Sequence, residues 1–151
     1  LKQRADELGI ADRVIFPGFV DDHGRNALLA RASLAVFPSL YEPFGIVALE
    51  AMGAGVPVIV SDTGGFAEIV EHGVDGLKIY PGSLDSLVQA IEYMLGDRDG
   101  AALLAKRGRE KTLRNYTWPA VSDQTLQIYR KLIDSRERES RDVAVAVGDE
   151  G

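Results

Sequence analysis

Five consecutive residues at positions 56–60 constrain the fold more than any other part of the sequence. They read Val-Pro-Val-Ile-Val and are apolar throughout. A short run without polar alternation is typical of a strand in a parallel sheet, because helices cover both faces of such a sheet. Three more short apolar runs, at 14–16, 34–37 and 77–80, are predicted to be strands of the same sheet.

Helical segments separate these runs. We predict helices at about 1–8, 22–32, 44–52, 66–71, 83–95, 101–114 and 118–138. Strands that alternate with helices build right-handed βαβ units. The predicted fold class is therefore α/β, a Rossmann-like, doubly wound parallel sheet with helices on both faces.

The two ends of the chain differ from those of a complete domain of this class. A helix comes first, and four predicted strands are few for such a sheet. We therefore expect a partial domain at 1–139 that is truncated on its N-terminal side. Residues 140–151 are rich in Asp, Glu, Gly and alternating Ala-Val, and we expect them to form a disordered tail.

The composition excludes several classes of function. The chain lacks cysteine, which excludes a disulfide scaffold, a thiolate nucleophile and a Cys-ligated zinc site, and fits a cytoplasmic protein. His23 and His72 have no partner at metal-ligand spacing, so we expect no metal site. A net charge of −6 without a basic stripe argues against nucleic-acid binding. No apolar run approaches the roughly 20 residues that span a bilayer.

The most informative segment lies between the runs at 34–37 and 56–60. Ligands of open α/β sheets bind beyond the carboxyl ends of the strands, where each strand meets the next helix. Gly45 marks a predicted helix start, so the N–H groups of Gly45, Ile46 and Val47 have no partner inside that helix. Together with the positive end of the helix dipole, these groups predict a site for a diphosphate.

Two acidic residues flank these amides. Glu42 precedes the helix, and Glu50 follows eight residues later. Carboxylates accept hydrogen bonds from sugar or ribose hydroxyls, often two at a time. Amides for phosphate and carboxylates for hydroxyls together predict a nucleotide-sugar ligand. Another interpretation stays open, in which both acids only complement the helix dipole and Gly64-Gly65 is only a tight turn.

The segment Glu42-Pro43-Phe44-Gly45 through Glu50 resembles the E-x7-E motif of retaining glycosyltransferases, of family 4 in particular. Four flanking blocks, at 12–20, 54–62, 64–70 and 73–77, resemble the family patterns D-R-V-x-F-x-G-x-V, A-x-G-x-P-V-I-x-x-D, G-G-x-x-E-I-V and N-G-x-x-G-L. His72 stands where the family usually has Asn. The resemblance covers about residues 1–133, and blocks in this order are far more specific than one short motif.

The resemblance implies a GT-B fold, in which two Rossmann-like domains face a cleft, with this chain as most of the C-terminal, donor-binding domain. It implies that a hexosyl group passes from UDP-, GDP- or ADP-hexose to a sugar, lipid or other acceptor, with retention and without metal or cofactor. The expected partners are the nucleotide-sugar donor and an N-terminal acceptor-binding domain, which would also carry any membrane contact. The family's diphosphate-binding Arg and Lys lie on an earlier segment, so we expect the isolated chain to bind donor weakly and to lack turnover.

The resemblance also assigns roles to individual residues. Glu42 would be the catalytic residue and contact the donor-sugar hydroxyls, and Glu50 would bind the ribose. The amides that begin the helix would hold the distal phosphate, and the backbone near 16–18 would meet the base. We expect Tyr41 to line the cleft and Phe44 to anchor the loop in the core. The expected donor-binding set is Phe16, Pro17, Gly18, Tyr41, Glu42, Phe44, Gly45, Ile46, Val47, Glu50, Gly64 and Gly65.

Two other functions fit the same residues. A sugar phosphorylase on the same fold would use phosphate as its acceptor. A non-catalytic nucleotide-sugar-binding module would keep the pocket without the reaction. A generic Rossmann domain, such as that of a dehydrogenase, is disfavoured because the G-x-G-x-x-G turn is absent.

Overall fold

A three-stranded parallel sheet forms the core of the computed structural model, which describes the backbone of residues 1–148 and the side chains of residues 1–136. The strands are β1 (Ala35–Phe37), β2 (Val58–Ser61) and β3 (Leu77–Ile79), in the order β1-β2-β3. The register aligns Ala35 with Val58 and Ile59 with Leu77. Because the strands are parallel, their carboxyl ends share one edge of the sheet.

Helices connect and follow these strands. They are α1 (Lys2–Glu7), α2 (Asp22–Leu29), α3 (Ile46–Gly53), α4 (Gly64–Ile69), α5 (Leu84–Gly96), α6 (Arg98–Asn115) and α7 (Trp118–Gly148). Asp21, Ser83 and Asp97 each accept a hydrogen bond from a backbone N–H in the first turn of α2, α5 and α6, respectively. These side chains satisfy N–H groups that have no partner inside the helix, which fixes where each helix begins.

Apolar side chains cover the sheet on both faces. Val58 and Val60 pack with α3 and α4, where Met52 and Phe66 are fully buried. The alternate residue Ile59 packs on the opposite face with α5 and α6. Burial on both faces explains why β2 lacks polar alternation, and it confirms the predicted α/β class with helices on both sides of a parallel sheet.

The predicted strand at 14–16 is wrong. Residues 14–16 are in no strand, and the side chain of Ile15 is 86% exposed. A strand needs a hydrogen-bonded neighbour, and within the described residues β1 pairs only with β2. The backbone N–H of Val14 instead closes a 3₁₀ turn by donating to the Ala11 carbonyl over 3.4 Å.

The last helix is longer than predicted. We expected it to end near residue 138, but α7 runs to Gly148 and so includes 140–148, which we expected to be disordered. Pro119 lies in its first turn, and no further Pro or Gly occurs before Gly148, so the sequence offers no helix breaker at 139. The division of the chain at 139 stays a prediction, and residues 149–151 lie outside the described part.

At the outer edge of β3, two side chains accept hydrogen bonds from backbone N–H groups. The backbone N–H of Lys78 donates to His72 Nδ1 over 2.9 Å, and the N–H of Tyr80 donates to Ser86 Oγ over 3.2 Å. Either Asn or neutral His offers a side-chain acceptor, so this bond gives a physical reason why His can replace the expected Asn at position 72.

An ion pair attaches α6 to the loop that precedes β3. Lys111 Nζ donates to Asp75 Oδ2 over 2.7 Å and to the Ile69 carbonyl over 2.6 Å. Asp75 is only 4% exposed, and its other oxygen, Oδ1, accepts from the Glu71 N–H over 2.8 Å. The carboxylate is therefore fully partnered, as a buried charge must be.

Replacing Lys111 should show how much the ion pair contributes to the free energy of unfolding. Lys111→Met leaves the buried Asp75 charge without its cation, and we expect a loss of about 3 kcal/mol of unfolding free energy. Urea denaturation measures the loss. Lys106→Met, an exposed change on the same helix, is the control and should leave the midpoint nearly unchanged. Equal midpoints for the two variants would contradict the role given to the pair.

Candidate functional site

The loop from β1 to α3 lies at the carboxyl edge of the sheet and turns sharply at Gly45. This residue adopts φ +80° directly before α3, a conformation that favours glycine. A Cβ on Gly45 would lie 2.9 Å from Ile69 Cδ1 and 3.0 Å from Phe66 Cδ1. Both the backbone angle and the close contact with α4 therefore require glycine at the start of α3.

Glu42 is folded back over this helix start. Its side chain is half-buried, and Oε1 accepts a hydrogen bond from the Gly45 N–H over 3.0 Å. We predicted the Gly45 N–H to face a phosphate, but in the structure the Glu42 carboxylate occupies it. The second carboxylate oxygen, Oε2, accepts no hydrogen bond from the described residues.

Two backbone donors remain open at the same helix end. The N–H groups of Ile46 and Val47 have no acceptor among the described residues. Their side chains are also outward, 61% and 43% exposed, so no apolar cover lies over these amides. The first turn of α3 thus presents two free N–H groups and the positive end of its dipole to solvent.

Glu50 lies one turn further along α3. It stands three and four residues after Val47 and Ile46, so helical spacing puts its side chain on the same face as the side chains of these two residues. Its Oε1 is 3.2 Å from Nη2 of Arg25 on α2. The open amides and Glu50 therefore lie within the first two turns of α3, with Glu42 bonded to Gly45 at the start of the same helix.

Gly64 and Gly65 contact the loop from β1 to α3 directly. The Gly65 N–H donates to the Glu42 carbonyl over 2.8 Å. A Cβ on Gly64 would overlap the Glu42 carbonyl, and a Cβ on Gly65 would overlap the Phe44 backbone. The interpretation as a turn with a structural role therefore rests on direct contacts, while ligand contact by these glycines stays a prediction.

The aromatic residues of the loop point outward. Tyr41 is 77% exposed, as a residue that borders an open cleft would be. Phe44 is 74% exposed, so our expectation that its ring anchors the loop in the core is wrong. The physical reason is that the Phe44 backbone, pressed against Gly65, makes the anchoring contact and leaves the ring free.

The segment 16–18 stands apart from this group of residues. Pro17 and Gly18 are exposed, and Phe16 has the Lys2 ammonium 6.0 Å from its ring centroid. Within the described part of the chain, no hydrogen bond or ion pair joins residues 16–18 to α3. Their expected contact with a base stays a prediction.

Sequence reasoning missed Arg25. The side chain is 39% exposed and forms ion pairs with Asp22 and Glu50, and its Nε is buried without a partner. Only the folded chain brings Arg25 of α2 to Glu50 of α3, which lies 25 residues later in the sequence. The spacing to Asp22 signals a pair within α2 and nothing more.

Metal binding and membrane insertion each require a recognisable arrangement of residues. The described residues contain no group of three or more His, Cys, Asp or Glu side chains placed to hold a metal ion. Among the same residues, no helix combines the length and apolar character that crossing a bilayer requires.

Gly65→Ala should disturb the loop through its backbone contacts. The new methyl group must displace Phe44, so we expect a loss of about 2 kcal/mol of unfolding free energy. Gly96→Ala is the matched control, since nothing lies within 4 Å of a Cβ at that position. The control should change stability by less than about 1 kcal/mol. Thermal or urea denaturation gives both values, and similar losses would show that the loop does not press on Gly65.

Both the sequence and the fold of this chain match those of known proteins. The sequence model of the family described as glycosyl transferases group 1 matches residues 1–111. An uncharacterized glycosyltransferase of Methanocaldococcus jannaschii, MJ1607, is 38% identical over 124 residues, which cover 82% of this chain and 32% of that protein.

Solved structures agree with the family match. Sucrose-phosphate synthase from Thermosynechococcus elongatus superposes with a TM-score of 0.77 at 38% identity, over 89% of this chain and 34% of the other. Anabaena Alr3699/HepE, solved in complex with UDP-glucose, superposes with a TM-score of 0.78 at 32% identity, over 85% of this chain and 35% of the other. These matches confirm the Rossmann-like α/β fold of GT-B glycosyltransferases.

The chain spans about one third of the length of these relatives. The shared third contains the loop from β1 to α3, the turn at 64–65 and the sheet between them. Its sequence and its fold lead to the same assignment, and the chain belongs to the glycosyl transferases group 1 family.

Proposed function

We propose that this chain is the donor-binding part of a retaining, metal-independent glycosyltransferase of family 4. The complete enzyme would transfer a hexosyl group from a nucleoside-diphosphate sugar to a sugar, lipid or other acceptor. The observation that carries the proposal is the first turn of α3, where two open N–H groups lie between Glu42 and Glu50.

The open amides suit a diphosphate that becomes a leaving group. As the glycosidic bond breaks, negative charge grows on the oxygens of the nucleoside diphosphate. Donors already oriented toward those oxygens lower the barrier without reorganising at the moment of reaction. The N–H groups of Ile46 and Val47 meet this requirement, and they provide charge stabilisation that would otherwise fall to a metal ion.

Glu42 is the proposed catalytic residue, in contact with the hydroxyls of the donor sugar. The hydrogen bond from Gly45 to Oε1 orients the carboxylate, and Oε2 is left to accept from a hydroxyl. Gly45 thus contributes to donor binding by fixing Glu42, a role that differs from the phosphate contact we first expected of its N–H.

Glu50 is the proposed ribose ligand. It lies one turn after the open amides of α3, so a diphosphate at the helix start would place an attached ribose near it. Its pair with Arg25 occupies one oxygen and leaves Oε2 to accept from a hydroxyl.

The solved relative suggests which donor to test first. Anabaena Alr3699/HepE was crystallised with UDP-glucose, which makes a UDP-hexose the first candidate for this chain. We infer that the acceptor is bound by a second domain that this chain does not contain, and that the complete protein acts in the cytoplasm.

Nucleotide titration tests the donor site. In the complete natural polypeptide that contains this sequence, UDP, GDP and ADP and their glucose or mannose conjugates are titrated by calorimetry. One nucleotide should bind, and at a hundred times its dissociation constant it should stabilise the protein by about 2.7 kcal/mol. Glu50→Gln should weaken nucleotide binding about tenfold, because it removes a charged acceptor from the ribose.

Glu42→Gln should act differently from Glu50→Gln. It should change the affinity for the bare nucleotide little and remove the preference for the sugar-bearing form. Glu68→Gln, an exposed acidic position on α4, is the control and should bind like the unaltered protein. Unchanged nucleotide affinity in Glu50→Gln would contradict the ribose assignment. Turnover with phosphate, but with no sugar or lipid acceptor, would favour a phosphorylase instead.

A further inference from the structure

Arg25 contacts the candidate site from a neighbouring helix. Its Nη2 lies 3.2 Å from Glu50 Oε1, and its Nη1 lies 3.0 Å from Asp22 Oδ1. The third nitrogen, Nε, is buried and has no hydrogen-bond partner among the described residues. The guanidinium of Arg25 thus connects α2 to Glu50 on α3.

The exposure of this pair argues against a role in folding alone. The side chains of Arg25 and Glu50 are 39% and 30% exposed. Ion pairs with this much access to water contribute little to stability, because solvent screens them and ordering two side chains costs entropy. What the pair does provide is a positive charge 3.2 Å from Glu50 Oε1, which leaves Oε2 as the carboxylate oxygen without a cation among the described residues.

Charge gives the second argument. A diphosphate at the first turn of α3 would approach two carboxylates, Glu42 and Glu50, and like charges close together raise the energy of the bound state. Arg25 is the cation that pairs with Glu50 in the described residues, so it offsets this repulsion where the ribose is expected.

We propose that Arg25 is a positioning residue for donor binding. It holds Glu50 through Oε1, so that Oε2 faces the ribose hydroxyls, and it reduces the negative charge beside the diphosphate. This inference rests on the proposed function, because it needs Glu50 to be the ribose ligand. It adds Arg25, which lies outside the E-x7-E segment, to the residues that determine the affinity for the nucleotide.

The test compares a ribose with a ribose that lacks its hydroxyls. The ligand is UDP, GDP or ADP, whichever binds in the titration above, together with its 2′,3′-dideoxy analogue. The ratio of the two affinities measures the contact with the hydroxyls alone. In the unaltered protein this ratio should be about tenfold or more in favour of the natural nucleotide.

Arg25→Gln should lower this ratio severalfold and leave the melting temperature nearly unchanged. The double variant Arg25→Gln/Glu50→Gln should have the same ratio as Glu50→Gln alone, because Arg25 acts through Glu50. Arg25→Lys keeps the charge and should restore part of the ratio. Asp22→Asn removes the other partner of the guanidinium and should leave the ratio as it is.

Two failures are distinguishable. If Glu50→Gln lowers the ratio but Arg25→Gln weakens both nucleotides equally, the positioning role is wrong and the ribose assignment stands. If Glu50→Gln leaves the ratio unchanged, the ribose assignment itself fails, and the role of Arg25 fails with it.

Discussion

The contact between two chain segments, the turn at 64–65 and the loop at 42–45, determines the geometry of the site. The Gly65 N–H donates a hydrogen bond to the Glu42 carbonyl over 2.8 Å. A Cβ on either Gly64 or Gly65 would overlap the backbone of the loop. Because β1 and β2 are neighbours, their following loops meet at one edge of the sheet. The packing of one loop on the other therefore fixes where α3 begins and which of its amides stay open.

Within that framework, the two acids near α3 are balanced in different ways. Glu42 lies at the positive end of the helix and accepts from the N–H of Gly45, directly before α3, so the helix dipole stabilises the charge. Glu50 lies a full turn further on, where the dipole is weaker, and it is paired with Arg25 from another helix. Two carboxylates thus lie near the start of α3, each with its own source of positive charge.

The sequence predicted the parts of this arrangement that depend on local chemistry. The apolar run of β2 and the helix start at Gly45 both follow from neighbouring residues, and the structure agrees with each of them. The errors concern partners distant in sequence. Residues 14–16 have the composition of a strand, but no strand lies beside them in the part of the chain that the structure describes. Phe44 is anchored by its backbone. Arg25 on α2 reaches Glu50 on α3 only in the folded chain.

The side chains at the outer edge of β3 affect where a further strand can pair with this sheet. Unpaired N–H groups at a sheet edge recruit further strands, within a molecule or between molecules. At β3 the outward donors of Lys78 and Tyr80 are already taken by His72 and Ser86. On the opposite margin, the N–H of Val36 in β1 meets no such acceptor within the described part of the chain. Within the described residues, the outward N–H of β1 is therefore free to pair with a further strand, whereas the outward N–H groups at the β3 edge are already bonded.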